Sequence, residues 1–297
     1  MRSETGATPD FEGALGGTID KGDMVFTSQA RTFPAGSYEY FVSYKVDDVW
    51  HRLSPIKKFT SQKSESEGPR GIPGVWYSVF SDEFNGTSLD REKWATGNPD
   101  ENGSTEITAP VNTDELQCYD SNLVDVSEGT LNITAIRKPA TCGGKEMEYS
   151  SGMINSKDDF RQRFGALEAR IYLPAATPGV IANWPAFWQV GPEWPITGEN
   201  DVMEGLIGRA CFHFYSKEGP RGQCATGDFT GWHTFGANWQ PGRVDYYYDG
   251  VFVGAITEGI TSAPQWLMLN NSVQPKIGGP TKLPAEMRVD YVRVWQH

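Results

Sequence analysis

The sequence predicts an all-β fold, a sandwich of antiparallel sheets, from three observations. Short segments alternate apolar with polar side chains, as at residues 131–136, 166–172 and 244–248. Glycine, proline and asparagine separate these segments, as they do in turns between strands. No long segment repeats its apolar residues about every 3.6 positions, so helices are expected to be few and short. A chain of 297 residues, 38% of them hydrophobic, can bury a substantial core in such a sandwich.

The beginning of the chain differs from the rest. Residues 1–62 are predicted to form a small β-rich accessory segment, because residues 37–60 contain three short runs with the composition of strands. These runs resemble the later half of a small β-sandwich, whose completeness the sequence leaves open. Residues 63–74 are rich in Ser, Glu, Gly and Pro and are predicted to be a linker. The main domain is therefore predicted to span residues 75–297.

The chain is strongly acidic, with a formal net charge of −12 and a pI of about 4.8. This charge disfavours nucleic acid and anionic membranes as partners, because no basic patch would offset their phosphate charge. No apolar run approaches the length of a membrane span. The sequence therefore predicts that neither nucleic acid nor membrane is the partner.

The four cysteines indicate an oxidising compartment. An even count fits disulfides in a secreted protein. Local pairing is favoured, Cys118 with Cys142 and Cys211 with Cys224, since each pair would span a loop between neighbouring strands. Four buried free thiols are the alternative, and no spacing indicates zinc. The first residues lack the apolar core of a signal peptide, so we expect a secreted protein whose leader is absent from this sequence.

Three carboxylates fall within six positions of a tryptophan-rich segment: Glu199, Asp201 and Glu204. On a strand, Glu199 and Asp201 face the same side, and one extra residue bulging near Met203 would bring Glu204 to that side. Crowded carboxyls cannot all ionise at neutral pH, so at least one pKa is expected to rise. A proton donor beside an anion is what glycoside hydrolysis needs. A solvated acidic loop and a calcium site are the alternatives, and the aromatic residues at 183–190 argue against the loop.

The segment W-P-A-F-W at residues 184–188, followed by W-P-x-x-G-E-x-D-x-M-E at residues 194–204, resembles glycoside hydrolase family 16, in particular its laminarinase (endo-1,3-β-glucanase) branch. The similarity runs from about Trp76 to His297 in six segments that keep the family's order. One position departs from the pattern: Asn200 stands where the family usually has Ile or Leu. The other five segments are residues 82–94, 114–119, 151–154, 232–250 and 287–295.

The resemblance implies a β-jelly-roll sandwich with a concave substrate cleft. It also implies endo-acting, retaining hydrolysis of β-1,3 or mixed β-1,3/1,4 glucan through a covalent glycosyl-enzyme. The same mechanism on a β-galactan or another β-linked polysaccharide, a transglycosylase, and a non-catalytic glucan-binding protein are the alternatives. A non-catalytic protein is expected to have lost one or both glutamates, and this chain keeps both.

The resemblance also implies roles for individual residues. Glu199 is expected to be the nucleophile and Glu204 the general acid/base, while Asp201 between them orients Glu199. A core position is the alternative for Trp188, and a purely structural histidine is the alternative for His213. The expected substrate-binding residues are Trp184, Trp188, Trp194, His213, Glu115 and Asn270.

Calcium is the one ion that the resemblance implies, as a stabilising ion on the convex face. Its ligands would be Glu83, the carbonyl oxygen of Gly129, and Asp290. Asp290 is equally placed to be a surface acid beside Arg288 or Arg293. No cofactor is expected for catalysis, and the protein is expected to act on a polysaccharide as a monomer.

Overall fold

The computed structural model describes residues 36–41, 43–46, 49–52, 54–61, 68–101 and 106–297. The chain divides into two compact units, residues 1–65 and 66–297. The predicted domain boundaries at 62 and 74 stay predictions. The completeness of the accessory segment and residues 63–67 of the predicted linker lie outside the described residues.

The described part of the first unit contains four short strands in two antiparallel pairs. Strand β1 pairs with β4, and β2 pairs with β3. The strands are β1 (Gly36–Tyr40), β2 (Ser43–Val46), β3 (Val49–Arg52) and β4 (Lys57–Ser61).

The second unit is built almost entirely of strands, as the alternating sequence predicts. Two short 3-10 helices, Pro99–Glu101 and Ser121–Leu123, are its only helices among the described residues. The first ten strands are β5 (Tyr77–Asp82), β6 (Ala95–Thr96), β7 (Ile107–Thr108), β8 (Gln117–Asp120), β9 (Val124–Ser127), β10 (Thr130–Ala135), β11 (Ala140–Cys142), β12 (Lys145–Met147), β13 (Tyr149–Ser151) and β14 (Met153–Asn155). The others are β15 (Gly165–Leu173), β16 (Ala175–Thr177), β17 (Val180–Ile181), β18 (Trp184–Val190), β19 (Glu199–Leu206), β20 (Arg209–Tyr215), β21 (Arg221–Cys224), β22 (Gly231–Gln240), β23 (Arg243–Tyr248), β24 (Val251–Ile256), β25 (Trp266–Ser272) and β26 (Ala285–Gln296).

Two large sheets form the sandwich. The cleft sheet has seven strands in the order β21-β20-β19-β18-β25-β14-β6. The back sheet has eight, in the order β24-β23-β22-β15-β26-β10-β9, with β5 paired to β26. The pairings within both sheets are antiparallel. The predicted all-β jelly-roll sandwich is confirmed.

The hydrophobic core lies between the two sheets, and alternation along each strand explains which side chains enter it. On β25, Leu267 and Leu269 face the core. Trp266 and Met268 face the other way, into a second apolar cluster that includes Trp188. The cleft sheet is therefore apolar on both faces near its centre, so its outer face offers an apolar floor for a ligand.

Both predicted disulfides are confirmed. Cys118 bonds Cys142, and Cys211 bonds Cys224. The second disulfide joins directly opposite positions of β20 and the edge strand β21. No helix among the described residues combines the length and apolarity needed to cross a bilayer.

Candidate active site

The three carboxylates lie on β19, in the middle of the cleft sheet, and a bulge aligns them. Asp201 pairs with His213 on β20, but the next paired position is Glu204 with Cys211, so the register shifts between them. Val202 and Met203 are consecutive, yet both are buried in the core between the sheets. The extra residue returns Glu204 to the face of Glu199 and Asp201, as the sequence predicts. All three carboxylates line one cavity.

Each oxygen of the Glu204 carboxylate has its own hydrogen-bonding partner. Trp184 Nε1 donates to Oε1 at 2.9 Å. His213 Nδ1 lies 3.0 Å from Oε2. Glu204 is only 7% exposed, so these two contacts replace part of the water that its carboxyl loses on burial. A carboxyl held at both oxygens keeps one orientation toward the cleft.

Burial shifts the protonation of the carboxyl cluster. It raises the pKa of Glu199 to about 8; the charge of Glu204 adds to the rise, and a hydrogen bond from Trp194 opposes it. Burial, followed by the charges of Glu199 and Glu204, raises the pKa of Asp201 well above its ordinary value. Asp201 is 4% exposed, and its Oδ2 has no hydrogen-bond partner among the described residues. The cluster therefore retains at least one proton at neutral pH, which fits the rise expected for crowded carboxyls.

The cavity beside these carboxylates measures about 570 Å³ and gathers the predicted site residues. It is lined by every predicted catalytic and substrate-binding residue except His213, which reaches the site through Glu204. Trp194 is 59% exposed and offers the most accessible ring. Trp188 is mostly buried, and its Nε1 donates to Asn270 Oδ1 at 2.7 Å. Trp188 and Asn270 thus brace each other in the cleft floor.

Glu115 lies on the wall of the same cavity and is 5% exposed. Its carboxylate accepts hydrogen bonds from Gln117 Nε2 at 2.9 Å, Asn112 Nδ2 at 3.2 Å and the Val111 amide at 3.3 Å. Burial raises its pKa to about 7, although hydrogen bonds with Tyr119, Val111 and Gln117 partly oppose the rise. A sugar hydroxyl that approaches Glu115 would therefore meet a carboxyl that already has protein partners.

Asn200, the unusual residue of the acidic motif, points into the sandwich and is fully buried. Its Oδ1 accepts a hydrogen bond from the Tyr246 hydroxyl at 2.8 Å, and its Nδ2 lies 3.4 Å from Gln189 Oε1. Gln189 in turn donates to Gln162 Oε1 at 2.9 Å. The amide thus has the partners that a buried polar group needs.

Two features of the site escape sequence reasoning. Trp184 is expected to bind substrate, and the structure adds a second contact, because its N–H donates to Glu204. Tyr215 lines the cavity opposite Glu199, and burial, with the charges of Asp201, Glu204 and Glu199, raises its pKa. The spacing of Tyr215 two residues after His213 on a strand was the available signal, since it places both side chains on one face.

The predicted calcium ligands do not fit an ion as they stand. Arg293 donates to both oxygens of Glu83, each at 2.8 Å. Arg170 Nη1 donates to Asp290 Oδ2 at 2.9 Å. A cation bound by these carboxylates would face two guanidinium groups that already satisfy them. Two of the three predicted ligands are thus already paired with arginines, and calcium at Glu83, Gly129 and Asp290 stays a prediction.

Comparisons with known proteins agree with the fold and with the family resemblance. The family model of the β-glucan synthesis-associated proteins SKN1/KRE6/Sbg1 matches residues 33–197, a match that ends just before Glu199. Glucan endo-1,3-beta-glucosidase A1 of Niallia circulans is 30% identical over 300 residues, which cover 86% of this chain and 43% of that protein. The chain spans about half the length of the curated relatives it matches.

Two solved structures share the sandwich. The endo-beta-1,3-glucanase of Pyrococcus furiosus superposes with a TM-score of 0.61 and 28% identity, over 74% of this chain and 94% of that one. The catalytic domain of an endo-1,3-beta-glucanase (laminarinase) from Thermotoga petrophila RKU-1 gives a TM-score of 0.63 and 26% identity, over 74% of this chain and 98% of that one.

Proposed function

Since the chain belongs to the family of β-glucan synthesis-associated proteins SKN1/KRE6/Sbg1, as a divergent laminarinase-like member of glycoside hydrolase family 16, we propose that it is an endo-acting retaining β-glycosidase. Its substrate is a β-1,3 or mixed β-1,3/1,4 glucan. One observation carries the proposal. The bulge in β19 brings Glu199 and Glu204 to one face, beside a cavity that Trp184, Trp188 and Trp194 help to line.

In the proposed mechanism, Glu199 attacks the anomeric carbon while Glu204 protonates the departing glycosidic oxygen. The C–O bond to the leaving sugar breaks as the bond from Glu199 forms, giving an α-linked glycosyl-enzyme. Glu204, now an anion, takes a proton from water, and the resulting hydroxide equivalent displaces Glu199 with a second inversion. Asp201 stays protonated beside Glu199, since its pKa is raised by burial and by the neighbouring glutamates.

Three residues that surround Glu199 and Glu204 support the proposed mechanism. The Glu204 partners, Trp184 and His213, stabilise the anion that remains after proton transfer. Trp194 lines the cavity beside Glu199 and presents an exposed ring. Aromatic rings of this kind stack on sugar faces, so Trp194 is the leading candidate for a sugar platform.

Chemical rescue tests the two glutamates separately. With an activated aryl β-glucoside and azide, Glu199→Ala should give an α-glycosyl azide, because azide replaces the lost nucleophile. Glu204→Ala should give a β-glycosyl azide, because azide attacks the intact glycosyl-enzyme. Proton NMR of the products distinguishes the two anomers.

The matched control is Glu193→Ala, since Glu193 lies in the loop before β19 and outside the cavity lining. It should hydrolyse glucan normally. A folded Glu199→Ala or Glu204→Ala protein with near-normal turnover would refute the assignment. A screen of laminarin, lichenan, agarose, carrageenan and galactan, with product sizing, identifies the polymer and distinguishes endo from exo cleavage.

A transglycosylase is the second candidate, and the family match favours it, because the matching model describes proteins associated with β-glucan synthesis. The same glycosyl-enzyme would then react with a sugar hydroxyl instead of water. A fluorescent laminari-oligosaccharide acceptor tests this. Labelled products longer than the acceptor indicate transfer, and unlabelled short products alone indicate hydrolysis.

An extracellular location and a monomeric state complete the proposal. The two disulfides support the first, since they persist in oxidising compartments. Fractionation of the producing cells and light scattering of the purified chain measure the two properties.

A further inference from the structure

The bulge that aligns the carboxylates also interrupts the hydrogen-bonding ladder of β19. Val202 has no register partner on either neighbouring strand, β18 or β20, both of which the structure describes in full. A bulged residue leaves backbone groups without their regular donors. These groups are buried, because Val202 has no exposed surface. A buried carbonyl without a donor destabilises the local backbone, so some other group must satisfy it.

Tyr248 supplies that group from the opposite sheet. It lies on β23 of the back sheet, and its hydroxyl crosses the core to the cleft sheet. The hydroxyl lies 2.9 Å from the carbonyl oxygen of Val202 and 3.0 Å from that of Cys211, which share its single proton. Cys211 is the register partner of Glu204. The contact therefore joins both sides of the bulge directly beneath the acid/base carboxyl.

We propose that Tyr248 is a positioning residue for Glu204, whose hydroxyl replaces the backbone donor that the bulge removes. This inference rests on the proposed function, with Glu204 as the acid/base. Tyr248 acts through the backbone: it fixes the spacing between Val202 and Cys211, and this spacing sets where the Glu204 side chain meets Trp184 and His213.

The packing of the Tyr248 ring allows the role of its hydroxyl to be tested separately from the role of the ring. The ring is almost fully buried and contacts Phe229 and Phe235 edge-on, with ring centroids 5.2 and 4.8 Å away. Tyr248→Phe keeps these contacts and removes only the oxygen. The matched control is Tyr291→Phe, which removes a hydroxyl that donates to Glu168 at 2.7 Å on the back sheet.

Two substrates distinguish a misplaced general acid, Glu204, from a general loss of structure in strand β19. A general acid contributes about 10²–10⁴-fold to cleavage of a poor leaving group. We therefore expect Tyr248→Phe to lower kcat/KM on laminarin about tenfold or more, because misplacement of a reacting group by about 1 Å can cost 10²-fold. For dinitrophenyl β-laminaribioside, whose leaving group needs no proton, kcat/KM should stay within about twofold of the wild type. Tyr291→Phe should leave both values unchanged.

An activity-independent signal completes the test. The indole N–H of Trp184, assigned by its loss in Trp184→Phe, reports its hydrogen bond to Glu204 in a nitrogen–proton NMR spectrum. This resonance should move in Tyr248→Phe and stay in place in Tyr291→Phe. An unmoved resonance would overturn the inference, and so would an equal loss on both substrates or no loss on laminarin. If the wild type cleaves neither substrate, the proposed function fails, and the Trp184 resonance alone decides whether Tyr248 positions Glu204.

Discussion

Glu115 offers a quantitative test of the buried carboxyls, through Glu115→Gln. Glutamine has the shape of the protonated carboxyl but does not titrate. Burial raises the pKa of Glu115 from 4.5 to about 7. At about 1.4 kcal/mol for each pH unit, this rise corresponds to about 3 kcal/mol.

The sign follows from proton binding. Folded Glu115 holds its proton more tightly than the unfolded chain does, so its contribution to stability is fully present below pH 4.5. That contribution is lost as the pH rises through about 7. Glu115→Gln cannot lose it. The unfolding free energy of the variant minus that of the wild type should therefore increase by about 3 kcal/mol between pH 4 and pH 8.

Urea unfolding at several pH values, followed by circular dichroism, measures this difference. Other buried carboxyls, including Glu199 and Asp201, are present in both proteins, so their contributions cancel in the difference between the two unfolding free energies. Asp114→Asn is the control, because Asp114 is an exposed neighbour on the same wall; it should change the difference by no more than about 0.5 kcal/mol. Parallel stability curves for Glu115→Gln and the wild type would refute the reasoning, and so would a difference that falls with pH.

Three further outcomes follow from the site. Trp184→Phe should lower kcat/KM on laminarin about tenfold, because Glu204 Oε1 loses the indole donor of Trp184; an unchanged rate would show that this bond is dispensable. The pH profile of kcat/KM should keep rising to about pH 8, because burial raises the pKa of Glu199 and the nucleophile must be ionised to attack; a profile already flat from pH 5 to pH 8 would contradict this. Asn200→Leu should lower the free energy of unfolding by about 1–3 kcal/mol, because the Tyr246 hydroxyl loses its acceptor, Asn200 Oδ1, at 2.8 Å. Adding Tyr246→Phe to this variant should recover part of the loss, whereas equal stability of Asn200→Leu and the wild type would argue against a role for this hydrogen bond.

The sequence predicts those features of this protein that depend on local pattern. Alternation along short segments predicts the strands, and the count of residues between Glu199 and Glu204 predicts the bulge. The spacing of the cysteines predicts both disulfides. Each of these features depends on residues that are close in the sequence or that lie on neighbouring strands.

Contacts across the sandwich lie beyond such reasoning. Tyr248 is 46 residues from Val202, and nothing in the alternation of β23 shows that its hydroxyl meets a bulge in the other sheet. The direction of the Trp184 indole likewise depends on packing. The ion pair between Arg293 and Glu83 is a similar case, because the two residues are 210 positions apart and only the fold reveals their pairing.

The two partners of Glu204 have different hydrogen-bonding capacities. An indole N–H can only donate, so Oε1 is an acceptor toward Trp184 whether or not the carboxyl carries a proton. His213 Nδ1, which faces Oε2, accepts in one neutral tautomer and donates in the other. The position of the hydrogen on the His213 ring therefore sets whether Glu204 is held by two donors or by one.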